Sequence, residues 1–183
     1  MNTPVIGLIS GSTRKNSLNR KLVTAMSVLF VASGAQTKIL DLADYDMPIY
    51  NGDYEDAHGV PQATQKLKKD ILACDGIFIA SPEYNGSLPA LLKNSIDWIS
   101  RVGLEAFSQP VYGIGSATPG ALSGIMVLRE LRFILARLGA QVVPLQLGVG
   151  HADTAFDTRG EFKAGPVRDM ANVLVGQMQE ALS

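Results

Sequence analysis

The sequence predicts an α/β domain in which five short strands form one doubly wound parallel sheet with helices packed on both faces. Three observations carry this. Stretches of strand length at residues 5–9, 37–42, 76–80, 111–116 and 141–143 are rich in apolar residues, several almost without interruption, as strands covered on both faces must be. Between them the apolar residues switch to helical spacing, and right-handed crossovers then place the helices on alternate faces of a parallel sheet. The length, 183 residues, suits one domain and is enough to bury a core.

Val5-Ile6-Gly7-Leu8-Ile9 is a strand that stops at Ser10-Gly11-Ser12. Leu22, Met26 and Leu29 then recur at spacings of four and three until Ser33-Gly34, which predicts an amphipathic helix over residues 18–33. Residues 37–42 are the second strand. From Asp44 to Gly59 the chain is rich in Asp, Tyr, Asn, Pro and Gly and has no sustained period, so a long loop is expected, of a kind that often carries function. Helix resumes over 61–73, and Gly76-Ile77-Phe78-Ile79-Ala80 is a strand ending at Ser81-Pro82. Pro89 opens the next helix, in a first turn that tolerates it.

That helix carries two apolar stripes, Leu88/Leu92/Ile96/Ile99 and Leu91/Trp98/Val102, more than one sheet face requires. The second is expected at a subunit interface, in a homodimer or homotetramer. Strand at 111–116, helix at 121–137, strand at 141–143 and a closing helix at 164–182 complete the order, the last with Val167, Met170, Leu174, Met178 and Leu182 on one face. Residues 1–183 read as a single domain without repeat or linker.

Composition narrows the function classes. Apolar residues make up 46% and charged residues 18%, a globular balance. A net charge of -1 and a pI near 6.1 give no field that gathers polyanions, so neither nucleic acid nor a membrane surface is expected as a partner. Cys74 stands alone, which excludes an internal disulfide and a CxxC pair, and His58 and His151 lack metal-site spacing, so no metal is expected. Met1-Asn2-Thr3-Pro4 enters an apolar run without the parts of a signal peptide, and no stretch reaches the ~18 apolar residues of a membrane span. The expected address is the cytoplasm.

Open parallel sheets bind ligands beyond the carboxyl ends of their strands, where strand order reverses. The loops beginning at Ser10, Ser81 and Ser116 therefore matter most. Ser10-Gly11-Ser12-Thr13-Arg14-Lys15-Asn16-Ser17-Leu18-Asn19 brings hydroxyls, an amide and two cations to a helix N-terminus, a composition suited to phosphate. A helix cap at Ser17 or Asn19 accounts for part of the pattern without a ligand. The loop lacks both the Gly-Lys-Ser/Thr ending of a P-loop and GxGxxG, so a monophosphate fits better than either a triphosphate or a dinucleotide.

Pro82-Glu83-Tyr84-Asn85-Gly86-Ser87-Leu88-Pro89, with Leu92-Lys93-Asn94-Ser95-Ile96-Asp97-Trp98-Ile99-Ser100-Arg101 after it, closely resembles the signature of the NADPH-dependent FMN reductase family, which includes bacterial quinone, chromate and azo-dye reductases. Gly11-Ser12-Thr13-Arg14 followed by Ser17 and Asn19 is similar to the family's phosphate motif, and the resemblance runs from about residue 5 to residue 140. It implies a flavodoxin-like fold with strand order 2-1-3-4-5, FMN as cofactor and NADPH or NADH as co-substrate. It also implies that Ser12, Arg14, Ser17 and Asn19, with the adjoining Leu18, hold the FMN phosphate. By the same resemblance Pro82, Glu83, Tyr84, Asn85 and Gly86 line the isoalloxazine ring, and the loop at Ser116 lies against the flavin.

The residues suit those roles, because a flat ring needs a flat wall and preorganised N–H groups at its polar edge. Tyr84 offers ring contact and Gly86 close backbone approach, although Pro-Glu-Tyr-Asn-Gly is also simply a turn sequence. No side chain need act as an acid or base. Ser123-Gly124-Ile125-Met126 departs from the family's paired glycine, small residue and arginine. Asp46-Met47-Pro48-Ile49-Tyr50-Asn51 resembles a family loop that lies near a neighbouring subunit's flavin, and an ordered surface loop explains it equally well. Trp98 is expected in the core or an interface, and Cys74 as inert packing.

The implied function is an FMN-dependent NAD(P)H oxidoreductase serving a soluble acceptor such as a quinone, free flavin, azo compound or chromate. A flavodoxin-like electron carrier and a flavin-binding regulatory or stress protein without turnover are the other readings. Near-neutral charge and Arg14 count against a carrier, which is typically acidic with a Thr-rich phosphate loop. An NAD(P)H oxidation assay separates the regulatory protein from the enzyme.

Overall fold

Strands β1 (Val5–Ser10), β2 (Gln36–Leu40), β3 (Gly76–Ala80), β4 (Val111–Ala117) and β5 (Gln141–Val149) pair in parallel in the order β2-β1-β3-β4-β5. The computed structural model describes residues 3–183, so Met1 and Asn2, where the reading of the N-terminus begins, lie outside the described residues. Seven helices accompany the strands among the described residues: α1 (Leu18–Ala32), α2 (Gly52–His58), α3 (Gln62–Leu72), α4 (Ala90–Ser100), α5 (Glu105–Ser108), α6 (Ile125–Arg137) and α7 (Pro166–Ala181).

The two sheet faces bury separate clusters. Leu22, Met26 and Phe30 of α1 join Leu174 and Met178 of α7 over Leu8 and Phe78. On the other side Leu67 and Ile71 of α3, Leu92 and Ile96 of α4, and Leu131 and Leu135 of α6 cover Ile77 and Ile79. Every residue of β3 and β4 is buried, and each fully buried aliphatic side chain there contributes about 1.5–3 kcal/mol. α7 sits close to the sheet, since a Cβ on Gly113 would lie 2.6 Å from Met178 Sδ.

Besides the short α5 and a second strand that ends at Leu40, the structure differs from the sequence reading in four larger respects. The expected loop at 44–59 contains α2, capped by Asn51, whose Oδ1 accepts from Asp53 N (2.8 Å) and Tyr54 N (3.2 Å). α2 buries none of its residues, so it has no apolar period to reveal it. β5 continues past residue 143 to Val149, and Pro144 is accommodated because β5 is an edge strand with irregular pairing opposite Tyr112 and Ile114. Arg132 takes up strand carbonyls there, donating to Val142 O (3.3 Å) and Pro144 O (3.0 Å). Residues 121–124 precede α6 rather than join it, because Ser123 (φ 57°) and Gly124 (φ 73°) are left-handed.

The fourth difference concerns α4. Its second apolar stripe does not face outward, because Trp98 is fully buried under Tyr50 and Tyr54, with edge-on ring contacts at 5.0 and 6.2 Å. The indole Nε1 donates to Pro48 O (2.6 Å). The segment after β2 thus covers Trp98 within the chain, while Leu91 and Val102 of the same stripe stay partly exposed.

Candidate functional site

The loops after β1, β3 and β4 emerge side by side, because these strands are neighbours in the sheet. The order reverses at β1: the chain passes first to β2 on one side and then to β3 on the other. Backbone pairing extends past the strands and levels the loops, with Gly11 N donating to Ala80 O (2.8 Å), Ser81 N to Gly115 O (2.9 Å) and Thr118 N to Val149 O (3.0 Å).

In the first loop Ser10 Oγ accepts from Ser12 N (3.2 Å) and donates to Ser12 O (3.0 Å), while the buried Ser12 Oγ accepts from Arg14 N (3.4 Å). Ser17 is the N-cap of α1, its Oγ accepting from Asn19 N (3.2 Å). The backbone N–H groups of Thr13, Lys15 and Asn16 find no acceptor among the described residues. With Arg14 and Lys15 exposed beside them at a helix N-terminus, these donors suit an anion. Asn19 points elsewhere. Its buried amide donates to Ala117 O (3.0 Å) and accepts from Ala117 N (2.9 Å), joining the start of α1 to the end of β4. Leu18 packs against the core beneath the loop.

The second loop is a tight hairpin. Tyr84 and Ser87 exchange both backbone hydrogen bonds at 3.1 Å, and Asn85 (φ 53°) and Gly86 (φ 79°) supply the two left-handed residues that favour Asn-Gly in a two-residue turn. The N–H groups of Asn85 and Gly86 have no acceptor among the described residues, and the Tyr84 side chain is half-exposed. The first loop lies against this one at Gly11, whose missing Cβ would stand 3.2 Å from Pro82 and 3.3 Å from Pro89.

Two carboxylates fasten the hairpin to α6. Glu83 Oε2 accepts from Met126 N and Val127 N, both at 3.0 Å, and so caps a helix whose own N-cap, Gly124, has no side chain. In return Glu130 accepts from Ser87 Oγ and Leu88 N, each at 3.1 Å. Sequence reasoning placed Glu83 toward a ring and missed Glu130. Neither role had a local signal, because both depend on α6 lying beside the hairpin.

Just before the third loop, Ser116 near the end of β4 is fully buried and its Oγ has no partner among the described residues. Gly124 lies so near that a Cβ there would come within 2.0 Å of that oxygen. The segment after β2 reaches the first loop across an open cleft of about 420 Å³ lined by Thr13, Tyr45, Asp46, Met47, Leu91 and Asn94. Asn94 holds this segment, accepting from Tyr50 N (2.8 Å) and donating to Pro48 O (2.9 Å). At the back of the cleft Tyr45 Oη donates to Asp70 Oδ2 (2.8 Å), and burial, then Asp70, pushes the phenol well above its ordinary range. The hydrogen bond from Lys38 (2.7 Å) holds the Asp70 carboxyl below the usual carboxylate value.

The protein-family model described as NADPH-dependent FMN reductase matches residues 4–154. A quinone reductase of Pseudomonas putida is 34% identical over 158 residues, spanning 85% of this chain and 83% of that protein. A 2-hydroxy-1,4-benzoquinone reductase of a Burkholderia species is 34% identical over 170 residues, 89% of this chain and 87% of its own. Among solved structures, FerB of Paracoccus denitrificans, described as a flavoenzyme NAD(P)H:(acceptor) oxidoreductase, matches with a TM-score of 0.80 at 24% identity, covering 97% of this chain and 98% of FerB. That likeness shows the fold, and the sheet order is flavodoxin-like.

Proposed function

The chain belongs to the NADPH-dependent FMN reductase family, and from that premise we propose that it binds FMN at the three loops and oxidises NADPH or NADH to reduce a soluble quinone. Free flavin, azo compounds and chromate are further acceptors to screen. The observation that carries the reading is the juxtaposition of an anion-ready loop with a clamped hairpin at the point where strand order reverses.

The residues present fit FMN. Unpaired N–H groups at Thr13, Lys15 and Asn16 with the Arg14 cation suit its phosphate, and Ser116 is a buried hydroxyl still lacking a partner. Bound FMN would supply hydride chemistry that no side chain here can perform. On this reading Ser12 and Arg14 hold the phosphate, while Ser17 and Asn19 fix the loop that carries them. Pro82, Tyr84, Asn85 and Gly86 form the wall for the ring. The free N–H groups of Asn85 and Gly86 stabilise negative charge at its polar edge. Glu83 and Glu130 keep that wall from moving relative to α6. We take residues 1–183 to act as one FMN-binding domain.

Among the described residues no helix is long and apolar enough to cross a membrane. We place the protein in the cytoplasm, with the pool of reduced nicotinamide it would draw on.

The test is the visible spectrum of protein mixed with FMN and freed of excess, then given NADPH or NADH under nitrogen. Retained flavin bands that bleach, and return when a quinone is added, are the expected result. Bands that persist would mean a carrier or sensor, and no retained flavin would end the proposal. Arg14→Ala should weaken FMN binding by about 1.5–3 kcal/mol, roughly a ten- to hundredfold rise in Kd by calorimetry. An unchanged Kd would move the phosphate elsewhere.

A further inference from the structure

On the α6 side of the hairpin lies a second open cleft, of about 450 Å³, lined by Gly86, Ser87, Met126, Arg129, Glu130 and Phe133. Nothing described so far uses its outer wall. Met126, Arg129 and Phe133 stand three and four residues apart, one stripe on the outward face of α6. Met126 is 50% and Phe133 71% exposed, large apolar side chains left in water directly beside the proposed ring wall. Arg129 lies between them and enters no ion pair or side-chain hydrogen bond among the described residues. Its neighbour Glu130 is already engaged with Ser87 and Leu88.

We propose that this cleft recognises the electron acceptor and that Arg129 is the specificity-determining residue, selecting planar aromatic monoanions of the hydroxyquinone type. The proposal rests on the quinone-reductase reading above. An ionised hydroxyquinone places its charged oxygen next to a carbonyl oxygen, a two-oxygen edge that matches the planar guanidinium fork as a carboxylate does. Its flat apolar body suits the Met126 and Phe133 surfaces. The wall holds one cation, Arg129, and one carboxylate, Glu130. A doubly charged phosphate of the nucleotide donor therefore finds little net attraction there, whereas a delocalised monoanion pairs with the guanidinium and leaves the carboxylate in its hairpin contacts.

The test uses FMN-loaded protein and two probes: lawsone, a hydroxynaphthoquinone that is anionic near neutral pH, and menadione, a neutral methylnaphthoquinone. Lawsone affinity is measured by calorimetry without nicotinamide, and kcat/KM for both quinones with NADPH. In Arg129→Met the lawsone Kd should rise roughly two- to fivefold, and the lawsone-to-menadione ratio of kcat/KM should fall by a similar factor, as expected for loss of one exposed charged contact. Arg129→Lys, which keeps the charge without the fork, should fall between. Equal losses for both quinones, or an unchanged lawsone Kd, would overturn the proposal. So would a rise confined to the KM for NADPH, which would assign the cation to the donor. If the parent reduces neither quinone, the reductase reading fails, and the nicotinamide-free binding result still decides Arg129.

Discussion

Replacing Asn19 by alanine should damage stability and cofactor binding together. The Asn19 amide is 1% exposed and pairs with both Ala117 N and Ala117 O across 98 residues of sequence. Truncation leaves one N–H and one C=O without partners in a buried place, and each such group costs about 1–3 kcal/mol. Water entering the vacated space would recover part of this, so the net loss is about 2–4 kcal/mol, a large share of a typical domain's stability of about 5–15 kcal/mol. For a chain of this size each kcal/mol moves Tm by about 2–4 °C, which predicts a fall of roughly 5–15 °C by scanning calorimetry of FMN-free protein. Because the same amide ties the start of α1 to the end of β4, where the third loop begins, FMN affinity measured well below Tm should fall too. A Tm within about 2 °C of the parent would refute the reasoning, since two orphaned backbone groups cannot be that cheap unless the bond is not made in solution.

Gly124→Ala combines a left-handed backbone with a Cβ 2.0 Å from Ser116 Oγ, so a loss of about 2–4 kcal/mol is expected in urea unfolding. Adding Ser116→Gly should restore the steric part but not the backbone part, and a double variant no better than the single one would show that the clash is not the cause. Asp70 has its carboxyl lowered by the Lys38 and Tyr45 hydrogen bonds, so the stability it contributes is present above the ordinary carboxylate range, near pH 4, and is lost as pH falls from there through the lowered value. Asp70→Asn should therefore differ most from the parent at neutral pH and converge with it on acidification. Parallel stability curves would exclude this role.

Much of the candidate site is legible in the sequence because it is local. The Ser10–Asn19 composition and the Asn85-Gly86 pair carry their own loop and turn chemistry, and a parallel sheet places such loops at one edge. The side-chain partners were less legible. Ser17 reads equally as a phosphate ligand or a helix cap, and its Oγ is the cap of α1. Asn19 reads as a ligand until Ala117 comes beside it, and Glu83 reads as part of a ring wall until the uncapped N-terminus of α6 arrives.

What the sequence alone determined is the order of elements and the strands that fill the sheet, because apolar period and turn residues act within a few positions of one another. α2 escaped that reading because a short helix with no buried face leaves no apolar period. Only the tertiary structure decided what covers Trp98, which residue caps α6, and which cations are left unpaired. Those outcomes depend on groups 43 to 98 residues apart being brought within hydrogen-bonding distance, a condition set by the packing of helices on the sheet rather than by any residue's neighbours in the chain.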